Sequence, residues 1–205
     1  MRRAVLGSTA LAGLASAASP VEAHLVTTGL GPVYDGLVHF VLSPDDLVPV
    51  LALALLAGLR GPTPARWALF VLPAVWLAGC LFGRFAAMPV GDFLPAASFV
   101  VVGGLVALDA PLPPVAIAGL AGLIGFAHGF ANGASMSPGD ASWPVLLGIG
   151  AGVFVGFALM AAIVLPLRSR MARTMVRVAG SWIAAAGILL AGWILHRGFA
   201  LPTSS

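Results

Sequence analysis

The sequence predicts an all-α integral membrane protein, a single bundle of six transmembrane helices behind a cleaved signal peptide. Three observations predict it. The 205 residues are 60 % hydrophobic and only 8 % charged, with a mean hydropathy of +1.06, whereas a soluble domain carries about 25 % charged residues. Apolar runs alternate with short turns rich in proline, glycine and arginine. The arginines are distributed unevenly between alternate turns. All ten cations are arginine, set against seven acids. The high isoelectric point therefore reflects a few arginines and not a basic patch, and a nucleic-acid partner is not supported.

Residues 1–23 read as a secretory signal peptide. Arg2 and Arg3 precede an apolar, small-residue run over 4–18, and Val21-Glu22-Ala23 is a small-x-small exit. Ala15-Ser16-Ala17 is a second acceptable exit, and an uncleaved first span is the alternative. The shortness of the run against the ~20 residues that a span needs argues for the leader. Cleavage after Ala23 makes His24 the first mature residue. A free amine beside an imidazole chelates metal ions, so His24 is a candidate extra ligand. An ordinary polar residue in a leader's tail is the plainer reading.

The mature chain, 24–205, is one six-span domain. Residues 31–42 are apolar but hold Asp35 and His39. Residues 47–59 form the first span. At 1.5 Å per residue they make roughly 20 Å of helix, against a hydrocarbon core ~30 Å thick. Either the span begins earlier and takes in Asp45 and Asp46, or the preceding piece is half-inserted. Residues 60–66 are a turn, and 67–85 the second span. A loop over 89–92 leads to the third span, 93–108. Residues 109–114 are a tight, proline-stopped turn, and 115–131 the fourth span, with His128 near its end. A polar loop follows over 132–142, then the fifth span over 143–167. Residues 168–177 form an arginine-rich loop before the sixth span, 178–195. With the mature N-terminus outside, the inner turns hold Arg60, Arg66, Arg168, Arg170, Arg173 and Arg177, and the outer side holds Arg84 and Arg197. That satisfies the positive-inside rule and places both ends outside a bacterial plasma membrane. His39, Asp45, Asp46, His128 and Asn132 then share the outer half.

Glycines repeat every four residues at 125, 129 and 133 and at 148, 152 and 156. This small-xxx-small pattern lets helices approach closely, and it serves packing within the chain and self-association equally well. Cys80, the single cysteine, sits in an apolar run and reads as a small core residue. A weak echo links Gly36-x-x-His39 with Gly125-x-x-His128, and Ser43-Pro44-x-Asp46 with Ser137-Pro138-x-Asp140. Three spans separate the copies, which suggests a 3+3 inverted repeat of the kind that transporters use.

Ionisable groups are costly in hydrocarbon, so those inside the spans are functional hypotheses by default. Ser43, Pro44 and Asp46 make a helix start, with Ser43 as N-cap and the acids favoured by the dipole. That explains one carboxylate at membrane depth better than two. His39 lies six residues before Asp45, on a different face of a straight helix. A break at Pro44 would fold it back toward the carboxylates. Imidazole with carboxylate suits nickel, cobalt, zinc, copper or manganese. His128, Asn132 and Ser135 share a face if the helix runs on through Gly129. They would line a polar path or, alternatively, supply helix–helix hydrogen bonds.

These features together resemble the HupE/UreJ family, small bacterial membrane proteins associated with hydrogenase and urease systems and regarded as secondary permeases for nickel or cobalt. The family's first motif is His, five residues, Asp-His; here it reads His39-Phe40-Val41-Leu42-Ser43-Pro44-Asp45-Asp46. The second reads roughly His-Gly-x-Ala; here it is His128-Gly129-Phe130-Ala131-Asn132-Gly133-Ala134-Ser135. The resemblance carries over His39, Asp45 and His128 directly. Asp46, Asn132 and Ser135 carry over in position only, standing where the family has histidine, a histidine-type residue and glutamate. It implies a metal set of His39, Asp45, Asp46, His128, Asn132 and Ser135, with the cation as cargo and no cofactor. It also implies no enzymatic activity, with a lipid bilayer, a divalent cation and a metalloenzyme-maturation system as partners. The altered ligands make the site more oxygen-rich, which moves preference from nickel toward manganese, cobalt or another cation.

No phosphate-cradling glycine loop with a lysine is present in the sequence. An alternative from another class is a non-transporting membrane subunit or assembly factor that kept the fold and lost the site. An intramembrane hydrolase using Ser135 and His196 lacks a supporting constellation.

Overall fold

The computed structural model describes residues 27–86, 91, 93–136 and 142–200. The expected signal peptide, His24, and the second Ser-Pro-x-Asp copy lie outside the described residues. Among the described residues the protein is all helix, in seven pieces: α1 Pro32–Leu42, α2 Pro44–Arg60, α3 Pro62–Gly83, α4 Phe93–Ala107, α5 Pro114–Ser135, α6 Trp143–Val164 and α7 Arg170–Ala200. Prolines open α1, α2, α3 and α5, where a missing N–H costs nothing and the fixed φ already suits a helix.

By length and composition, α3, α5, α6 and α7 are long and apolar enough to cross a bilayer. The pair α1 and α2 passes the same test together but is bent by 75°. Four long helices and one broken pair make four to five candidate spans among the described residues against the six expected; α4, apolar but only 15 residues long, makes roughly 22 Å of helix and falls short of the hydrocarbon thickness.

Several expected boundaries move. The turn expected over 60–66 shrinks to Gly61, whose φ is +106°. Pro62 and Pro64 fall in the first turn of α3, where their lack of an N–H is tolerated. The loop expected from 132 begins at Met136, so Asn132 and Ser135 are helical. The arginine-rich stretch 168–177 is mostly the first two turns of α7, because arginine and methionine are good helix formers. Ser43 is the N-cap residue of α2 in position, but its side chain makes no cap bond there. Its hydroxyl donates instead to the His39 carbonyl at 2.7 Å, satisfying an orphan acceptor at the end of α1.

The helix α2 is the axis of the bundle and touches every other described helix. Val50, Ala52, Leu53, Ala54, Leu56 and Ala57 along it are fully buried. Around it the other helices pack in pairs: α3 with α5, α4 with α7, and α1 with α6. Glycine makes all three contacts close, with Gly103 against Ala184 and Gly180 against Ala107 between α4 and α7. A Cβ on Gly129 or Gly133 would run into the Trp76 or Cys80 carbonyl of α3, and one on Gly148 into the Val33 carbonyl of α1. The glycine stripes therefore serve packing within the chain. Cys80 is fully buried, as expected of a core residue. Large apolar side chains such as Trp67, Phe70, Leu123, Leu159, Trp182 and Leu189 are exposed on the outer surface, the pattern expected of a face turned to lipid.

One end of the bundle is tied by a single carboxylate. Asp109, in the turn after α4, has φ +50°, a conformation that aspartate tolerates better than most residues. It accepts hydrogen bonds from Arg60 at the end of α2 and from Arg173 at the start of α7, the latter at 3.1 and 2.8 Å. Arg177 Nε donates to the Ala107 carbonyl at 2.9 Å. The turn was legible in the sequence, but this ionic cluster was not.

Candidate functional site

At the other end of α2 the broken span sets the site. Ser43 precedes a proline and takes an extended conformation, φ −96° and ψ 94°, as that position favours. The chain turns there, and α1 brings His39 beside the first turn of α2, which carries Asp46. From α5, His128 and Asn132 approach with one helical turn between them. From α4 comes Ser98. All five side chains are buried: His39 is 8 % exposed, Asp46 7 %, Ser98 4 %, His128 1 % and Asn132 6 %. Among the described residues they are the buried polar or charged side chains.

They form one connected hydrogen-bond network. Asn132 Nδ2 donates to Asp46 Oδ2 at 2.8 Å and to the His128 carbonyl at 3.0 Å. Its amide oxygen lies 3.1 Å from His39 Nε2. An amide oxygen only accepts, so His39 carries the proton there. His128 Nδ1 lies 3.1 Å from Asp46 Oδ1, and its Nε2 lies 2.8 Å from Ser98 Oγ. Trp76 of α3 stacks on the His128 ring, with centroids 5.6 Å apart and planes 26° apart. Phe40 meets Trp76 edge-on at 6.2 Å. The fully buried indole Nε1 of Trp76 has no hydrogen-bond partner among the described residues.

Of the residues expected from sequence, His39, Asp46, His128 and Asn132 come together. His39 reaches the carboxylate through Asn132. Asp45 is exposed at the same helix start. Ser135 is exposed, and its hydroxyl donates to the Asn132 carbonyl at 3.0 Å, closing the last turn of α5. His24 lies outside the described residues. Among the described residues, no three His, Cys, Asp or Glu side chains converge as a ready-made metal cage. The oxygen of Asn132 and the hydroxyl of Ser98 complete the polar set. Sequence reasoning missed Ser98 and Trp76. Trp76 is one of several tryptophans in apolar runs, and a serine in the middle of a short span offers no spacing to mark it. Its burial in a helix of otherwise apolar residues is the only signal, and it needs the fold to be visible.

The two histidines of the Gly-x-x-His echo, His39 and His128, meet at this one site. Each follows a glycine in close packing, Gly36 against Val145 of α6 and Gly125 against Leu72 of α3. The arrangement offers one buried negative charge, two imidazoles, an amide and a hydroxyl, gathered from four helices.

No curated protein and no solved structure is similar enough to the chain to match it. The model of one protein family does match, across residues 11–190, and its description is HupE / UreJ protein. The match takes in every described helix except the last turns of α7. With several helices apolar enough to span a bilayer, a multi-pass membrane protein with a role related to metal transport is the plain consequence. The chain belongs to the HupE / UreJ family.

Proposed function

We propose that this protein is a secondary permease or diffusion facilitator that moves a divalent transition-metal cation inward across a bacterial plasma membrane. The observation that carries this reading is Asp46: a carboxylate buried in an apolar bundle, held between His128 and Asn132 with His39 one bond further on. A buried charge in a membrane protein marks an ion pathway by default. Broken spans that present half-helix ends to a site are a common transporter device, and α1 and α2 meet at Ser43 in that manner.

Asp46 supplies the charge that draws a cation out of water. His39, His128 and the Asn132 oxygen supply neutral donors. Asp45 and Ser135, exposed beside the site, belong to the approach. His24 joins it if cleavage follows Ala23. Nickel or cobalt follows from the family, and the oxygen-rich set extends the choice to manganese. The distribution of arginines puts the site toward the outer face and both mature ends outside. A metalloenzyme-maturation system in the same cell would use the cargo.

One observation favours a second reading, a non-transporting subunit that kept the fold. The network is closed on itself, with both donors and the acceptor of Asn132 already engaged. Metal accumulation by cells expressing the protein, across nickel, cobalt, manganese, zinc and copper, decides between them. At least one metal should accumulate and the gain should vanish in Asp46→Asn at equal membrane level. No accumulation of any metal, with both proteins folded in the membrane, would leave the second reading.

A further inference from the structure

Arg66 is an exposed cation without a counter-ion. Among the described residues no carboxylate pairs with it, and Asp109, at the same end of the bundle, is taken by Arg60 and Arg173. Arg66 stands in the second turn of α3, toward the positive end of the helix dipole, so no helix-end interaction holds it there. The positive-inside rule accounts for its side of the membrane but not for what lies beside it. An open groove of about 510 Å³ runs along the outer face of α3 from this residue. Thr63 and Arg66 lie at its head, and Trp67, Phe70, Ala74 and Val75 follow along the helix. Phe154 of α6 braces Phe70, with ring centroids 6.0 Å apart. From Arg66 to Val75 the helix rises roughly 14 Å, and one leaflet supplies about half of the ~30 Å hydrocarbon thickness. The groove therefore matches one leaflet in depth, with the arginine at the level of the headgroups.

We infer that this groove holds an anionic glycerophospholipid, its phosphate on the Arg66 guanidinium and one acyl chain along Trp67 to Val75. The planar fork of arginine donors suits phosphate oxygens. A zwitterionic headgroup brings its own cation to the arginine, whereas an anionic one brings uncompensated negative charge. Tryptophan at headgroup level anchors a span, and Trp67 follows Arg66 directly. A second copy of the chain is the poorer occupant. A two-fold dimer in a membrane has its axis along the bilayer normal, so this face packed on itself would set two Arg66 side chains at one depth with no acid between them. The same composition recurs at the start of α7, where an open groove of about 660 Å³ has Arg170 at its head and Met171, Met175 and Val178 along it. Thr174 there gives its hydroxyl proton to the Arg170 carbonyl, so the guanidinium is again the donor left for a phosphate. The lipid site does not depend on metal transport.

Tryptophan quenching of the full-length protein in bilayers tests this. Trp143→Phe, Trp182→Phe and Trp193→Phe together leave Trp67, which is 59 % exposed, and Trp76, which is fully buried and out of reach of lipid. The probes are phosphatidylglycerol and phosphatidylcholine with brominated chains, each titrated into unbrominated phosphatidylcholine. Brominated phosphatidylglycerol should quench Trp67 at an about fivefold lower mole fraction than brominated phosphatidylcholine, the worth of one arginine at a membrane surface. Arg66→Gln should erase that difference and leave the phosphatidylcholine curve where it was. Equal quenching by the two lipids with Arg66 in place, or a preference that survives Arg66→Gln, would overturn the inference. So would a Trp67 quenched by neither lipid, which would mean that protein covers this face. If the phenylalanine background fails to fold, native mass spectrometry of the unaltered chain decides. Released from mixed micelles, it should retain more phosphatidylglycerol than phosphatidylcholine, and Arg66→Gln should retain less of it. Equal retention of phosphatidylglycerol by the two chains would sink the lipid site.

Discussion

Asn132 is the residue on which the site turns. It is the one side chain that bonds both His39 and Asp46, and removing it strands a donor and an acceptor in an apolar interior. Each buried group left unsatisfied costs about 1–3 kcal/mol, so Asn132→Ala should lower stability by roughly 2–5 kcal/mol. Thermal unfolding in detergent, followed by tryptophan fluorescence, measures it. Ser135→Ala removes only an exposed hydroxyl from a helix end and should cost less than about 0.5 kcal/mol. The two residues are three apart in one motif, and the sequence treats them alike. Their difference in burial separates them, because α5 continues through Gly133 and turns Asn132 inward. His39, Asp46 and His128 were legible as costly polar groups in apolar runs. Ser98 was not, since one hydroxyl in a span is cheap enough to need no function.

At the scale of the helix, the sequence signals that held were proline and glycine. Prolines mark the starts of α1, α2, α3 and α5, and Pro44 marks the break that lets His39 face the first turn of α2. The spacing of Gly125, Gly129 and Gly133 announced a close helix partner without naming it, and the partner is α3. Helix ends were less legible where arginine or asparagine continues a helix past its apolar part, as in α7 and α5. Polarity ends a membrane span but does not end a helix. Gly129→Ala should force α3 and α5 apart at Trp76, because its methyl meets a backbone carbonyl that no rotamer change can move. Overpacking of this kind costs about 1–3 kcal/mol, and the stacked Trp76 fluorescence should shift with it. Gly119→Ala, on the same helix with open space around it, should be neutral or stabilising by up to about 1 kcal/mol. The same unfolding measurement compares the two.

Across the whole molecule, the site and the Asp109 cluster stand at opposite ends of α2, with 14 residues from Asp46 to Arg60 giving roughly 21 Å. Asp109→Asn leaves Arg60 and Arg173 side by side without their shared counter-ion. Stability should fall by about 1–3 kcal/mol, and the loss should shrink in high salt, which screens the two like charges. Unfolding at low and high ionic strength measures it. In the topology proposed from the arginine bias this end faces inside. A cysteine at Ser169 in a Cys80→Ser background should then react with a membrane-impermeant maleimide only after the cells are opened, whereas one at Gly91 should react in intact cells. The opposite pattern would invert the topology. The pairing of α4 with α7 carries one more consequence, for the order in which the chain is made. At 15 residues α4 is short for the hydrocarbon, and its principal partner, α7, is the last of the described helices to be synthesised. Until α7 emerges, α4 has α2 as its chief neighbour and Asp109 lacks Arg173. A nascent chain ending after α6 would therefore hold α4 poorly in the bilayer. The site would be assembled last through Ser98, although His39, Asp46, His128 and Asn132 had all left the ribosome long before.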